Sequence, residues 1–132
     1  MGGHERQFDL GGINVRPVPM YSHSPGMTGF YVPERKLLLG GDSVCILVCL
    51  YFQEASSLEQ HIRMLDEVAK LDFSYILTSH SRELLTRDDF EAMRECAASY
   101  DATKTFRYAD HFYPQFGGRM YLYESPKGNT RL

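Results

Sequence analysis

The segment Leu37-Leu-Leu-Gly-Gly-Asp-Ser43 is the most informative part of the sequence, because a run of leucines stops there at two glycines and an acidic residue. Three consecutive leucines predict a buried strand, and the lack of alternation predicts cover on both of its faces. The carboxylate of Asp42 follows at the strand end, where a sheet holds the backbone rigidly. Asp42 is therefore a candidate metal ligand, although an aspartate after glycines is more commonly a turn residue or a helix cap.

The residues before this strand predict a β-hairpin. Thr28 to Val32 has the aromatic and β-branched side chains of a strand. Pro33-Glu-Arg-Lys36 is typical of the turn that would join it to Leu37.

The residues after the strand predict two helices and a further strand. Ser56 or Ser57 caps an amphipathic helix, and Phe73 to Thr78 then returns to strand character. Thr86 caps a second helix that extends to about Tyr100. A strand, a helix and a strand in this order indicate an α/β fold with a sheet covered by helices on at least one face.

Metal-capable side chains follow three extended stretches of the sequence. They are His23 in Tyr21-Ser-His23-Ser-Pro-Gly26, Asp42, and His80 in Leu77-Thr-Ser-His80. Neutral imidazole and carboxylate are ligands that zinc, iron and manganese accept. Both histidines also have plainer interpretations, because a loop histidine commonly bonds a neighbouring backbone group and the serines beside His80 can satisfy it in a polar turn.

In this order, the motifs resemble the C-terminal half of the metallo-β-lactamase superfamily. The match extends over roughly Phe8 to Arg94, from His-Ser-Pro-Gly through a hairpin, Gly-Asp-Ser and a helix to a strand that ends in His. The resemblance implies half of an αββα sandwich, a mixed β-sheet with helices packed on one face. It also implies a metal-dependent hydrolase of the zinc type, in which His23 binds one metal, Asp42 bridges two metals and His80 binds the second.

The sequence departs from the family pattern in two ways. Ser22 occupies the position of the glycine that usually precedes the first histidine, and the residues around His80 lack the customary glycine. The chain also has no His-x-His-x-Asp-His motif, which supplies most of the metal ligands in the family. Three ligands shared between two metals are fewer than a catalytic zinc requires, so we expect the chain to be inactive or incomplete alone.

Two alternatives to such a hydrolase remain open: a noncatalytic structural or binding module, and one subunit of a split enzyme. Half of a sandwich leaves one sheet face bare, so we expect two copies to pair through that face as a homodimer. The apolar run from Val44 to Phe52 is either an ordinary buried strand or part of this subunit interface.

Composition limits the remaining choices. The 132 residues are 43% hydrophobic and 23% charged, which fits a single domain over residues 1–132. The net charge of -3, without a basic face, argues against a nucleic acid or a membrane as partner. If the chain is active, the family resemblance implies a small-molecule substrate. Nothing from Met1 to Leu10 resembles a secretory signal, so we expect a cytoplasmic protein. His61, among Glu59, Gln60 and Arg63, is predicted to face solvent.

Overall fold

A computed structural model describes residues 6–45, 47–49, 56–79, 81–99, 106–109 and 117–122; for 47–49, 106–109 and 117–122 only the backbone is described. The strands are β1 (Phe8–Asp9), β2 (Asn14–Pro19), β3 (Thr28–Val32), β4 (Leu37–Gly41), β5 (Leu47–Cys49), β6 (Tyr75–Thr78), β7 (Leu85–Thr86), β8 (Phe106–Ala109) and β9 (Gly117–Leu122). The helices are α1 (Leu58–Val68) and α2 (Arg87–Ala98).

Six of these strands form one mixed sheet in the order β1-β2-β3-β4-β6-β7. All neighbours are antiparallel except β4 and β6, which are parallel and pair Leu38 with Ile76. A parallel pair needs a crossover connection, and α1 lies within the segment that joins β4 to β6. The predicted strand-helix-strand unit and the mixed sheet are therefore confirmed.

The hairpin from β3 to β4 is also confirmed. Val32 pairs with Leu37, and a short 3-10 turn over Pro33–Arg35 joins the two strands. Lys36 closes the turn in the left-handed region, with φ of 46°, and its backbone N–H donates to the Pro33 carbonyl at 3.0 Å. Proline at the first position of the turn has the φ angle that such a turn requires.

Both helices begin at the predicted caps. The Ser57 hydroxyl accepts a hydrogen bond from the Gln60 backbone N–H, and the Gln60 side chain accepts one in return from the Ser57 N–H. Thr86 and Asp89 form the same reciprocal arrangement at the start of α2. Each capping box satisfies backbone donors that the first turn of a helix leaves without intrahelical partners.

The core lies between one face of the sheet and the two helices. Tyr31, Leu38 and Ile76 point from the sheet into this layer. The helices contribute Met64, Leu65, Val68, Phe90 and Met93, and all of these side chains are buried. This arrangement confirms the prediction that the helices pack on one face of a mixed sheet.

Arg87, at the start of α2, forms hydrogen bonds to the end of α1. Its guanidinium donates to the carbonyls of Ala69 at 2.7 Å and Leu71 at 2.9 Å, just after α1 ends. The same group lies 4.4 Å from the centre of the Phe73 ring. Carbonyls at a helix C-terminus carry partial negative charge, so a cation stabilises them there.

The other face of the sheet is largely apolar and only partly covered. Phe30, Leu39 and Leu77 stand opposite one another across β3, β4 and β6 and so share this face, with Leu37 and Tyr75 in the adjacent row. Phe30, Tyr75 and Leu77 remain 38%, 49% and 47% exposed. The prediction that β4 is covered on both faces is therefore wrong for this face, where Leu37 and Leu39 are only half-buried. We call these five residues the open face.

A second sheet has the order β5-β9-β8, with all pairs antiparallel. It includes Leu47–Cys49 from the apolar run Val44 to Phe52, but the side chains of that strand lie outside the described part of the chain. Both interpretations of the run therefore stay predictions. In the ranges described above, neither helix is long and apolar enough to cross a membrane.

Candidate metal centre

Two glycines shape the turn that carries Asp42. The backbone N–H groups of Ser43 and Val44 both donate to the Gly40 carbonyl, at 3.3 and 3.1 Å. A Cβ at position 40 would lie 2.7 Å from the Val44 carbonyl oxygen, so only glycine fits this close approach. Gly41 has φ of +54°, which an L side chain rarely adopts. The glycines therefore turn the chain sharply at the end of β4, directly before Asp42.

His23 lies in a loop that joins β2 to β3 and is closed by its own backbone. Met20 donates to the Met27 carbonyl at 2.9 Å, and Met27 donates to the Ser24 carbonyl at 3.2 Å. Inside the loop, the Ser22 N–H donates to the Met20 carbonyl at 2.7 Å. These bonds hold the loop in a compact form at the same edge of the sheet as Asp42.

A buried serine hydroxyl connects the two segments. Ser43 donates from its Oγ to the Met20 carbonyl at 2.6 Å and accepts a long hydrogen bond from the His23 N–H at 3.4 Å. Its side chain is fully buried, so water competes little for these hydrogen bonds. Because Ser43 directly follows Asp42, the same residue fixes the backbone of both predicted ligands.

The structure brings the side chains of His23 and Asp42 together. His23 Nε2 lies 3.9 Å from Asp42 Oδ2, and the two side chains are 25% and 34% exposed. This separation is longer than a hydrogen bond. Two tetrahedral ligands of one zinc, each bonded at roughly 2.0–2.2 Å, have their atoms about 3.3–3.6 Å apart, so an inward shift of a few tenths of an ångström would bring this pair to ligand spacing. Within the described ranges, no group of three or more His, Cys, Asp or Glu residues could hold a metal ion.

The third predicted ligand, His80, lies outside the described residues, but the segment before it approaches Asp42. The Gly41 carbonyl accepts hydrogen bonds from the Thr78 hydroxyl at 2.9 Å and from the Ser79 N–H at 3.2 Å. The parallel pairing of β4 and β6 explains this, since the carboxyl ends of parallel strands meet at one edge. The role of His80 therefore stays a prediction.

His61 contradicts the prediction that it faces solvent. It is fully buried, and a hydrogen bond joins its Nδ1 to the Ser22 hydroxyl. Burial lowers the pKa of His61 to about 4, so the ring is neutral at pH 7. The sequence did hold a signal for this position. His61 precedes Met64, Leu65 and Val68 by three, four and seven residues, which is the spacing of one helix face.

Comparisons with solved structures bear on the fold of this chain. No protein-family model and no curated protein sequence matches the chain. Among solved structures, the metallo-β-lactamase from Pontibacter korlensis matches with a TM-score of 0.60 at 16% identity, over 74% of this chain and 47% of that protein. An archaeal metallo-β-lactamase superfamily protein from Sulfolobus tokodaii matches with a TM-score of 0.58 at 19% identity, over 74% and 38%.

The metallo-β-lactamase FIM-1 from Pseudomonas aeruginosa, solved in its mono-zinc form, matches with a TM-score of 0.53 at 17% identity, over 74% of this chain and 45% of that protein. The chain thus spans less than half the length of each of these three proteins. The described part of the chain therefore has the fold of part of a metallo-β-lactamase superfamily domain, as the order of motifs around Asp42 predicted.

Proposed function

We propose that this chain is part of a metal-dependent hydrolase of the metallo-β-lactamase superfamily. The observation that carries the proposal is the approach of His23 Nε2 to Asp42 Oδ2 within 3.9 Å. Both residues are the ligands that the sequence motifs predict for this part of the chain. In the proposed site, His23, Asp42 and His80 are ligands of one or two divalent cations.

The donor set suits zinc, iron or manganese. One imidazole and one carboxylate suit all three metals, and no described donor is a thiolate that would favour a softer ion. When bound, the cation supplies the Lewis-acid chemistry of hydrolysis. The residues of this chain hold their ligand atoms in place through the buried Ser43 hydroxyl.

Three ligands form an incomplete centre, because the sequence has no His-x-His-x-Asp-His motif. We therefore propose that hydrolysis of a small-molecule substrate needs ligands from outside this chain. Alone, the chain should bind a metal more weakly than a closed zinc site does, and it should not hydrolyse a substrate.

Zinc titration of the purified chain tests the metal site. We expect wild-type protein to bind zinc, and His23→Ala and Asp42→Asn each to abolish binding in calorimetry. The matched control is Asp72→Asn, since Asp72 is an exposed carboxylate whose ion pair with Lys36 lies elsewhere on the surface. A chain that binds no metal and turns over no generic ester or phosphodiester would instead be a noncatalytic module.

We also propose that the chain forms a homodimer through the open face. The open face has no charged residue, and Phe30, Tyr75 and Leu77 lose contact with water only if another apolar surface covers them. The matched structures are longer than this chain, which covers 47% of the one from Pontibacter korlensis. A second copy would offer the same uncharged surface, as a twofold interface requires.

Light scattering at micromolar concentration tests the dimer. We expect wild-type protein at twice the chain mass and Leu77→Glu at the mass of one chain. Leu10→Glu is the matched control, because Leu10 is an exposed leucine in the turn between β1 and β2. A monomeric wild-type chain, or a dimer that persists in Leu77→Glu, would refute the proposal.

A further inference from the structure

Ser22 differs from the glycine that usually occupies this position in the motif, and its side chain is fully buried. Its hydroxyl bonds the Nδ1 atom of His61, and its backbone carbonyl accepts a hydrogen bond from the Ser56 N–H at 2.9 Å. A glycine could keep the second bond but not the first. The residue directly before His23 is therefore tied to the segment around the start of α1 by two bonds.

The position of His61 is fixed from its own side. It lies in the first turns of α1, where its N–H donates to the Ser57 carbonyl at 2.9 Å. The capping box of Ser57 and Gln60 fixes where that helix begins. A buried imidazole or hydroxyl without a hydrogen-bond partner lowers the stability of the fold. The hydrogen bond between Ser22 and His61 therefore stabilises the buried position of both side chains.

We propose that Ser22 and His61 are positioning residues, which fasten the loop of His23 to helix α1 and so hold the imidazole of His23 beside Asp42. This inference rests on the proposed metal site. A glycine at position 22 would leave the loop more flexible, whereas the hydrogen bond between Ser22 and His61 restrains it. The backbone of His23 would then already be ordered before a cation binds.

Four variants separate this role from general destabilisation. Ser22→Ala and His61→Leu each remove the hydrogen bond. His61→Asn keeps it, because an asparagine side chain can place a polar atom near the position of Nδ1. Val68→Ala is the control, since Val68 is a buried residue near the other end of α1.

The first measurement is amide hydrogen exchange by NMR, taken as the ratio of the rate at His23 to the rate at Ile76 in the core. We expect Ser22→Ala and His61→Leu to raise this ratio about tenfold, as the loss of one hydrogen bond of typical net strength would. His61→Asn and Val68→Ala should leave it near the wild-type value. An unchanged ratio in Ser22→Ala, or an equal rise in Val68→Ala, overturns the proposal.

The second measurement is zinc affinity. We expect Ser22→Ala and His61→Leu to bind zinc about tenfold more weakly than wild type, with His61→Asn and Val68→Ala near wild type. Equal affinity in Ser22→Ala and wild type refutes the positioning role. If wild-type protein binds no zinc, the proposed metal site fails, and the exchange ratio alone then decides whether the pair fastens the loop.

Discussion

Acid should destabilise this protein through His61. The ordinary pKa of histidine is 6.5, whereas burial lowers that of His61 to about 4 in the folded chain. At a pH between these two pKa values, His61 binds a proton in the unfolded chain but not in the folded chain, so the free energy of unfolding falls as the pH falls. From pH 7 to pH 5 the loss is about 2 kcal/mol, and it reaches about 3 kcal/mol near pH 4.

Urea denaturation of wild type and His61→Asn at a series of pH values measures this loss. The asparagine does not titrate, so the difference between the two curves isolates His61 from all carboxylates and from the other histidines. We expect wild type to lose about 2 kcal/mol more than the variant between pH 7 and pH 5. Parallel curves would show that His61 is not buried in its neutral form, and would refute the reasoning.

Three further changes should alter stability in urea denaturation. Arg87→Ala should cost about 2 kcal/mol, because it removes two hydrogen bonds to the carbonyls at the end of α1. Gly41→Ala should cost about 1–3 kcal/mol, since φ is +54° and the new Cβ would lie 2.5 Å from Met27 Cε, whereas Gly26→Ala meets open space and should be nearly neutral. Thr86→Ala should cost about 1 kcal/mol and Thr86→Ser much less, because only the alanine loses the cap of α2.

The elements that sequence could predict are those whose signals are local. Thr28 to Val32 forms a strand with the predicted bounds, and both helices start at their predicted caps. Turn and cap residues act through bonds to backbone groups a few positions away, so their effect does not depend on the rest of the fold. The approach of His23 to Asp42 was predictable only through the family resemblance, since it depends on strand pairing over a long sequence separation.

His61 shows why the remaining features were missed. Its polar neighbours Glu59, Gln60 and Arg63 suggested an exposed face, but α1 turns the position of His61 towards the core beside Leu65 and Val68. A buried histidine needs a partner, and Ser22 lies 39 positions away in the chain. Ser43 is similar, because its bonds to Met20 and His23 exist only after the two loops meet.

Because β4 pairs with β6, the edge that carries Asp42 cannot be finished when β4 is synthesised. A chain still emerging from the ribosome can form the β2-β3-β4 meander early, since those strands follow one another directly. The Gly41 carbonyl must wait for Thr78 and Ser79, its two donors. Translation therefore completes the edge that carries Asp42 after the meander, and a ribosome stalled before residue 75 would hold a nascent chain without it.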